Sequence, residues 1–206
     1  MFAIRPGRPE DLAAIVSIYN HYVIHTAATF DLDPIYPGDR AEWIQAHLGP
    51  GPYRLLVAID AADRVTGWAT TSPFRPRAGY ATTVESSVYV RPDQLGRGVG
   101  TRLYAALFDA IRVQPIERIV AGIALPNPAS ESLHHRFGFR RIGVFSRVGR
   151  KFGRFWDVAW FERGREVDRS AGEADRFEGA DGPHLEAIPL LGGEPDPREP
   201  PVHPDL

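Results

Sequence analysis

The stretch Leu95-Gly96-Arg97-Gly98-Val99-Gly100-Thr101 separates a strand pattern that ends near Val90 from a helix pattern that begins near Val99. Glycines let the backbone approach a ligand, and successive N–H groups at a helix N-terminus form a concave anion site. We therefore predict that this turn binds a phosphate or pyrophosphate; a glycine turn without a ligand is the alternative. It is not a P-loop, because no Lys-Ser/Thr pair follows the last glycine, and Thr101 replaces the third glycine of the dinucleotide fingerprint.

The strand before this turn carries a candidate catalytic group. In Val84-Glu85-Ser86-Ser87-Val88-Tyr89-Val90, alternation places Val84, Val88 and Val90 on one face of the strand. Glu85, Ser87 and Tyr89 then lie on the other face. A glutamate on a central strand beside the glycine turn is a candidate general base. A carboxylate on a solvated face of the sheet is the alternative.

A third segment places histidines on a short helix. Asn127 is a suitable N-cap, Pro128 suits the first helical position, and Gly138 is a natural C-terminal stop. His134 and His135 point about 100° apart on this helix, so at most one of them faces a given cleft. A surface or half-buried histidine is the alternative for either.

The remaining patterns between residues 1 and 163 alternate between strand and helix. Predicted strands cover Phe2–Arg5, Tyr53–Ile59, Val65–Thr71, Tyr80–Val90, Arg118–Ala124, Phe139–Val148 and Phe155–Phe161. Predicted helices cover the segment opened by Arg8-Pro9-Glu10-Asp11, then Pro37–Leu48, Val99–Val113 and Pro128–Phe137. This order implies an α+β or α/β sandwich around a mixed sheet.

Taken in order, these segments resemble the GNAT superfamily of acetyl-CoA-dependent N-acetyltransferases, and within it the phosphinothricin and methionine sulfoximine acetyltransferases. The resemblance runs from about Ile4 to Phe161. It rests on Asn20-His21-Tyr22, Val84 to Val90, Gly98-Val99-Gly100-Thr101, Leu125-Pro126-Asn127, Leu133-His134 and Trp156-Asp157-Val158. It implies an α+β fold with a mixed, mostly antiparallel central sheet that is flanked by helices and splayed at the acetyl-CoA site. Leu95 departs from the superfamily pattern, which has Gln or Arg there, and so removes a side-chain contact near the pyrophosphate.

The resemblance also implies roles for the site residues. Glu85 would deprotonate the amine through water, and His134 would assist proton transfer or position the substrate or thiol. A backbone N–H near Val88–Tyr89 would meet the oxyanion, a contribution of roughly 3–4 kcal/mol. Asn127 would contact the pantetheine arm. The expected acetyl-CoA-binding residues are Val88, Tyr89, Val90, Leu95, Gly96, Arg97, Gly98, Val99, Gly100, Thr101, Asn127 and Ser130.

An acceptor of the methionine sulfoximine type carries a carboxylate, so its site needs cations. Arg75 and Arg77 stand just before Tyr80, where related enzymes have basic residues, although solvated loop arginines are the alternative. Lys151 is the one lysine beside 23 arginines, and a compact ammonium is not interchangeable with a guanidinium at a close contact. Phe30 could wall the pocket or belong to the core. We expect these residues to bind the acceptor, and we expect no metal.

Composition separates a body from a tail. Residues 1–163 hold 20 Lys/Arg against 15 Asp/Glu, and residues 164–206 hold 11 Asp/Glu against 4 Arg and 7 of the 19 prolines. We therefore expect an acetyltransferase domain over 1–163 and a mostly disordered acidic tail over 164–206. The body is too mildly basic to suggest nucleic acid, and the sequence has no apolar run of membrane-spanning length. The lack of cysteine fits a cytoplasmic protein.

Two other functions remain open. The acceptor could be a polyamine, an aminoglycoside or a protein N-terminus, in which case the pocket should be acidic. The chain could also be a non-catalytic acyl-CoA-binding or interaction module, although the presence of both Glu85 and His134 argues against this. Relatives are commonly homodimers, and we expect the same here.

Overall fold

The computed structural model describes residues 2–164, which form a seven-stranded sheet flanked by helices. The strands are β1 (Ala3–Pro6), β2 (Leu55–Ile59), β3 (Val65–Pro73), β4 (Thr83–Val90), β5 (Arg118–Ala124), β6 (Arg140–Lys151) and β7 (Arg154–Gly164). The α-helices are α1 (Leu12–His25), α2 (Ala41–Leu48), α3 (Val99–Ile111) and α4 (Pro128–Arg136). The predicted α+β fold is therefore confirmed. The predicted tail lies outside the described residues, apart from Gly164.

The sheet opens between its two central strands. The strand order is β1-β2-β3-β4-β5-β7-β6, and β4–β5 is the parallel pair in an otherwise antiparallel sheet. The β4–β5 ladder ends where Glu85 meets Val120, whereas β3 continues to pair with β4 as far as Val90. Pairing of β5 with β7 likewise continues to Ala124. The two strands therefore separate after Glu85 and leave a cleft between them.

Side chains that alternate along the strands pack into two apolar cores on opposite faces of the sheet. Leu56 and Ala58 of β2 pack in the core that holds α3, whereas Leu55 and Val57 pack in the core that holds α1 and α2. The period of two residues in a strand explains this division. In α3 the buried side chains recur at helical spacing and are Val99, Leu103, Tyr104, Leu107, Phe108 and Ile111.

Several predicted boundaries move because short turns precede the regular elements. Pro9–Asp11 and Pro37–Arg40 each form a 3-10 turn, so α1 and α2 begin later than the patterns predicted. Tyr80 was predicted in a strand but belongs to the turn Ala78–Tyr80, where its N–H donates to the carbonyl of Arg77. A residue whose N–H closes a turn is not available to the sheet ladder. Its strand, β4, begins at Thr83.

Candidate active site

The cleft between β4 and β5 has a volume of about 810 Å³, and residues of α3 and α4 also line it. It brings together residues that lie far apart in the sequence. Those predicted to bind acetyl-CoA and found in its wall are Val88, Tyr89, Val90, Leu95, Gly96, Gly98, Val99, Gly100, Thr101, Asn127 and Ser130. His134 lies in the same wall, whereas Arg97 does not line the cleft. Two arginines that the sequence analysis did not single out, Arg136 and Arg154, also line it.

The glycine turn presents backbone amides to this cleft. Gly96 and Gly98 have φ of +73° and +78°, and a Cβ at either position would meet no atom within 4 Å. The left-handed backbone, rather than lack of space, therefore favours glycine at both positions. Gly98 caps α3, whose first N–H groups have no acceptor within the helix. These groups and the positive end of the helix dipole can bind a pyrophosphate.

The first helix supports the free end of β4. Tyr22 lines the cleft, and its hydroxyl donates to the carbonyl of Val90 at 2.6 Å. Two residues earlier, the side-chain amide of Asn20 donates to the carbonyl of Ile35 at 2.8 Å and accepts from its N–H at 3.0 Å. Asn20-His21-Tyr22 therefore anchors both the strand end and the loop after α1. Sequence analysis gave these residues no role, since only the tertiary structure shows their backbone partners.

Glu85 lies at the last paired position before the strands separate. Its side chain is half-buried and accepts no hydrogen bond from any described residue. Burial raises the pKa of its carboxyl, and the positive charge of Arg75 opposes that rise. A carboxylate without hydrogen-bond donors retains its basicity, as a general base requires.

His134 is buried in the cleft wall, with 3% of its surface exposed. Its Nδ1 lies 2.8 Å from the carbonyl oxygen of Ser130, which can only accept, so Nδ1 carries the proton. Nε2 then accepts from the hydroxyl of Tyr104 at 3.0 Å, and the Tyr104 hydroxyl lies 3.4 Å from Ser86 Oγ. Burial lowers the pKa of His134 and raises that of Tyr104. Both groups therefore stay neutral near pH 7.

Tyr104 was missed by the sequence analysis. It occupies a buried position in the amphipathic pattern of α3, where an aromatic residue is normally part of the core. Its position in the helical pattern does not distinguish it from Phe108, which lacks a hydroxyl and packs in the same core. The hydrogen bond to His134 joins residues 30 positions apart.

Asn127 caps α4, as predicted. Its side-chain oxygen accepts from the N–H of Ser130 at 3.1 Å, and Pro128 occupies the first turn. Asn127 and Ser130 line the cleft. The cap therefore fixes the start of the helix that carries His134.

The predicted acceptor-binding residues lie outside the walls of this 810 Å³ cleft. The guanidinium of Arg75 lies 4.2 Å from the ring centre of Phe74. Phe74 in turn contacts Tyr80 and Trp160 edge to face, with ring centres 5.7 and 6.1 Å apart. Arg77 is exposed on the same loop. This loop follows the β3 residue that faces Glu85, so Arg75 can act on the carboxylate.

Lys151 and Gly149 of β6 contact the loop that carries Thr29 and Phe30. Lys151 is 4% exposed, and its Nζ donates to the carbonyl of Thr29 at 2.7 Å. Phe30 packs directly on Gly149, where an added Cβ would lie 2.3 Å from the ring. Lys151 and Gly149 thus hold the loop that carries Phe30. Burial lowers the pKa of the Lys151 ammonium.

Neither a metal centre nor a membrane span is evident in residues 2–164. No group of three or more His, Asp or Glu side chains there is placed to hold a metal ion. No helix in that range has the length and apolar character needed to cross a bilayer.

Comparison with known proteins agrees with this geometry. A family model described as an acetyltransferase (GNAT) domain matches residues 4–160. The chain is 53% identical over 161 residues to a phosphinothricin N-acetyltransferase of Streptomyces coelicolor, covering 78% of this chain and 94% of the relative. It is 41% identical over 169 residues to an L-methionine sulfoximine/L-methionine sulfone acetyltransferase of Pseudomonas paraeruginosa, covering 82% and 98%.

The solved structures include yncA of Salmonella typhimurium, described with its cofactor acetyl-CoA. That chain superposes with a TM-score of 0.77 at 36% identity, and the match covers 86% of this chain and 99% of the other. The predicted resemblance is confirmed by these matches, as is the prediction of an N-acetyltransferase.

Proposed function

Because the chain belongs to the GNAT acetyltransferase family, we propose that it transfers an acetyl group from acetyl-CoA to the amine of a small amino-acid analogue. The acceptor is of the phosphinothricin, methionine sulfoximine or methionine sulfone type. The observation that carries this proposal is the position of Glu85, a carboxylate without hydrogen-bond donors among the described residues, at the last paired position before β4 and β5 separate.

The cleft residues fit acetyl-CoA. The amides of the glycine turn suit the pyrophosphate, and the unpaired edge of β4 at Val88–Val90 suits the amide groups of pantetheine. The side chain of Leu95, which is 58% exposed, has no polar atom to offer. The diphosphate of acetyl-CoA is therefore bound by main-chain N–H donors of the glycine turn. When bound, acetyl-CoA supplies the thioester carbonyl that the amine attacks.

Two groups manage the protons: Glu85, where β4 and β5 separate, and the Tyr104–His134 pair in the wall of the cleft. Glu85 accepts a proton from the acceptor's ammonium group, directly or through water, so that the amine becomes nucleophilic. The Tyr104 hydroxyl proton, shared with Nε2 of neutral His134, goes to the departing thiolate, and the proton that the attacking nitrogen loses when the amide forms restores the hydroxyl, so the pair ends neutral. His134 therefore acts together with Tyr104 rather than alone.

The charge near Glu85 favours an acceptor with a carboxylate. Arg75 and Arg77 supply cations on the loop above the carboxylate, whereas a polyamine or aminoglycoside would need acidic walls. The relatives from Streptomyces coelicolor and Pseudomonas paraeruginosa are named for acceptors of this kind. Phe74 provides apolar surface beside Arg75, and Lys151 holds the loop that carries Phe30 in place.

A thiol-release assay tests the proposal. Acetyl-CoA should be consumed with methionine sulfoximine, methionine sulfone or phosphinothricin, and a panel of polyamines and aminoglycosides should be inactive. Glu85→Gln should lower kcat by about 10²–10⁴-fold. Its affinity for acetyl-CoA, measured by calorimetry, should stay within about twofold of the parent because Glu85 does not line the cleft. Activity confined to polycations, or a fully active Glu85→Gln enzyme, contradicts the proposal.

We further propose that the protein is a cytoplasmic homodimer with its acetyltransferase domain in residues 1–163. The sheet ends in the long edge strand β6, which leaves apolar side chains exposed. An uncovered apolar edge strand favours association with another chain. The exposed apolar residues of β6 are Ile142, Val144, Phe145 and Val148.

A further inference from the structure

His47 is a buried titratable residue that the proposed mechanism does not use. It lies on α2 with 5% of its surface exposed. Its Nδ1 is 2.6 Å from the carbonyl oxygen of Trp43, and its Nε2 is 3.1 Å from the hydroxyl oxygen of Ser72. The carbonyl of Thr71 also acts on the ring. A carbonyl oxygen can only accept, so Nδ1, which lies 2.6 Å from the carbonyl of Trp43, carries the single proton of the neutral ring, and Nε2 accepts the Ser72 hydroxyl proton.

Ser72 faces Glu85 directly across the β3–β4 ladder. Side chains in opposed positions emerge on the same face, with their Cβ atoms about 4.5–5.5 Å apart. A serine hydroxyl that was free to donate here would hydrogen-bond to the carboxylate and stabilise its ionised form. The Ser72 hydroxyl proton is instead committed to His47, and Glu85 accepts no hydrogen bond from the described residues.

We propose that His47 is a positioning residue that makes Ser72 a hydrogen-bond acceptor toward Glu85. Ser72 Oγ and the Glu85 carboxylate then form a pair of acceptors that share one donor, either the acceptor's ammonium group or the water that relays its proton. The carboxylate keeps its basicity because its neighbour cannot donate to it. This inference rests on the proposed function, in which Glu85 is the base.

The other charged and titratable groups around Glu85 are independent of His47. Arg75 faces it from the loop after β3, Tyr89 lies on its own strand, and Tyr104 approaches from α3. On β7, Glu162 stands opposite Val120, the β5 partner of Glu85, and is paired with Arg140. His47 hydrogen-bonds to none of these groups. A change in the titration of Glu85 on replacing His47 would therefore report on Ser72.

The variant His47→Phe tests the proposal because it keeps a ring in the core and removes the acceptor for Ser72. The freed hydroxyl should donate to Glu85, lower its pKa, and move the acidic limb of the kcat/KM pH profile down by about one unit. Catalysis on the plateau should fall by about 3–10-fold, since a weaker base transfers the proton less well.

The matched control is the double variant His47→Phe/Ser72→Ala. It has no hydroxyl to donate, so its acidic limb should return to that of Ser72→Ala alone. If His47 had only a structural role, the single and the double variant would have the acidic limb of the kcat/KM profile at the same pH. That outcome, or an unshifted limb in His47→Phe, overturns the proposal.

Two NMR measurements keep the test independent of turnover and of variant folding. In the wild-type enzyme, ¹⁵N resonances should show His47 with Nδ1 protonated and Nε2 unprotonated; the opposite tautomer overturns the proposal. A ¹³C titration of the Glu85 carboxyl should show the same shift between parent and His47→Phe as the rate profile. If Glu85→Gln proves active, the base assignment fails, while the carboxyl titration still decides whether His47 controls Ser72.

Discussion

At the residue scale, the site depends on which hydrogen-bonding groups are already engaged. Both ring nitrogens of His134 have partners within the protein, and so do both nitrogens of His47. Glu85 lies between these two engaged systems, close to Ser72 on one side of the sheet and Ser86 along its own strand. Its carboxylate has no such partner among the described residues. The ring nitrogens of both histidines already have partners, so the carboxylate of Glu85 is the group available for a substrate proton.

The charge of Arg75 should set the pH dependence of this carboxylate. Glu85 is active when ionised, and burial raises its pKa while Arg75 lowers it. Activity should therefore be lost as the pH falls through this raised pKa. In Arg75→Gln the opposing charge is absent, so the acidic limb of kcat/KM should move to higher pH.

Arg77→Gln is the matched control, because Arg77 lies on the same loop and is not among the charges that act on Glu85. It should raise KM for the acceptor without moving the limb. Equal movement in both variants would contradict a specific effect of Arg75.

Removing the Tyr104 hydroxyl should affect both stability and turnover. Tyr104→Phe leaves Nε2 of the buried His134 without a donor, which should cost about 1–3 kcal/mol in the free energy of unfolding by urea. It should also lower kcat, because the proton held between the two side chains is gone. Tyr53→Phe is the control, since that hydroxyl makes no hydrogen bond to another residue between 2 and 164, and it should change the unfolding free energy by less than about 0.5 kcal/mol.

At the element scale, the site is made by a strand pair that stops pairing and a helix that starts beside it. The β4–β5 ladder ends at Glu85, and α3 begins at Val99 after a turn with two left-handed glycines. The separated strands leave backbone groups without a sheet partner, and the helix start adds unsatisfied N–H groups. Both sets face the same cleft, which is why the diphosphate and the amide arm of one ligand can be bound together.

Gly98→Ala should test the turn. A Cβ at Gly98 meets no neighbour, but its φ of +78° costs about 1–2 kcal/mol for a non-glycine residue. We expect roughly tenfold weaker acetyl-CoA binding by calorimetry, because relief of the strain reorients the amides. Gly100→Ala controls for stability, since its Cβ would be 3.4 Å from Leu133 Cδ2 and the helix should tolerate alanine. An unchanged affinity for acetyl-CoA in Gly98→Ala would contradict the proposal that backbone amides of the glycine turn bind the pyrophosphate.

At the scale of the whole molecule, the described residues contain the entire sheet, both cores and the cleft. The family match ends at residue 160, and the described residues end at Gly164. A chain ending at Glu166 should therefore keep the kcat and the melting temperature of the full chain, within about 3 °C. Loss of activity on truncation would show that the acidic segment takes part in catalysis.

The proposed homodimer can be tested on the edge strand. Val148 is 56% exposed on β6, and Val148→Asp should convert the dimer to a monomer in sedimentation velocity at micromolar concentration. Val113 is 73% exposed and follows α3 rather than belonging to β6, so Val113→Asp should leave the dimer intact. A monomeric parent would contradict the proposal outright.

The sequence by itself determined the glycine turn, the alternating strand with Glu85, the Asn127 cap and the α+β order of elements. These features are local, since each follows from backbone conformation or from a period of two or 3.6 residues. Tertiary structure alone decided that β4 and β5 separate after Glu85, that Tyr104 bonds to His134, and that the His47 ring lies within hydrogen-bond distance of the Ser72 hydroxyl. Such pairings join residues 25 or more positions apart, and local pattern carries no information about distant hydrogen-bond partners.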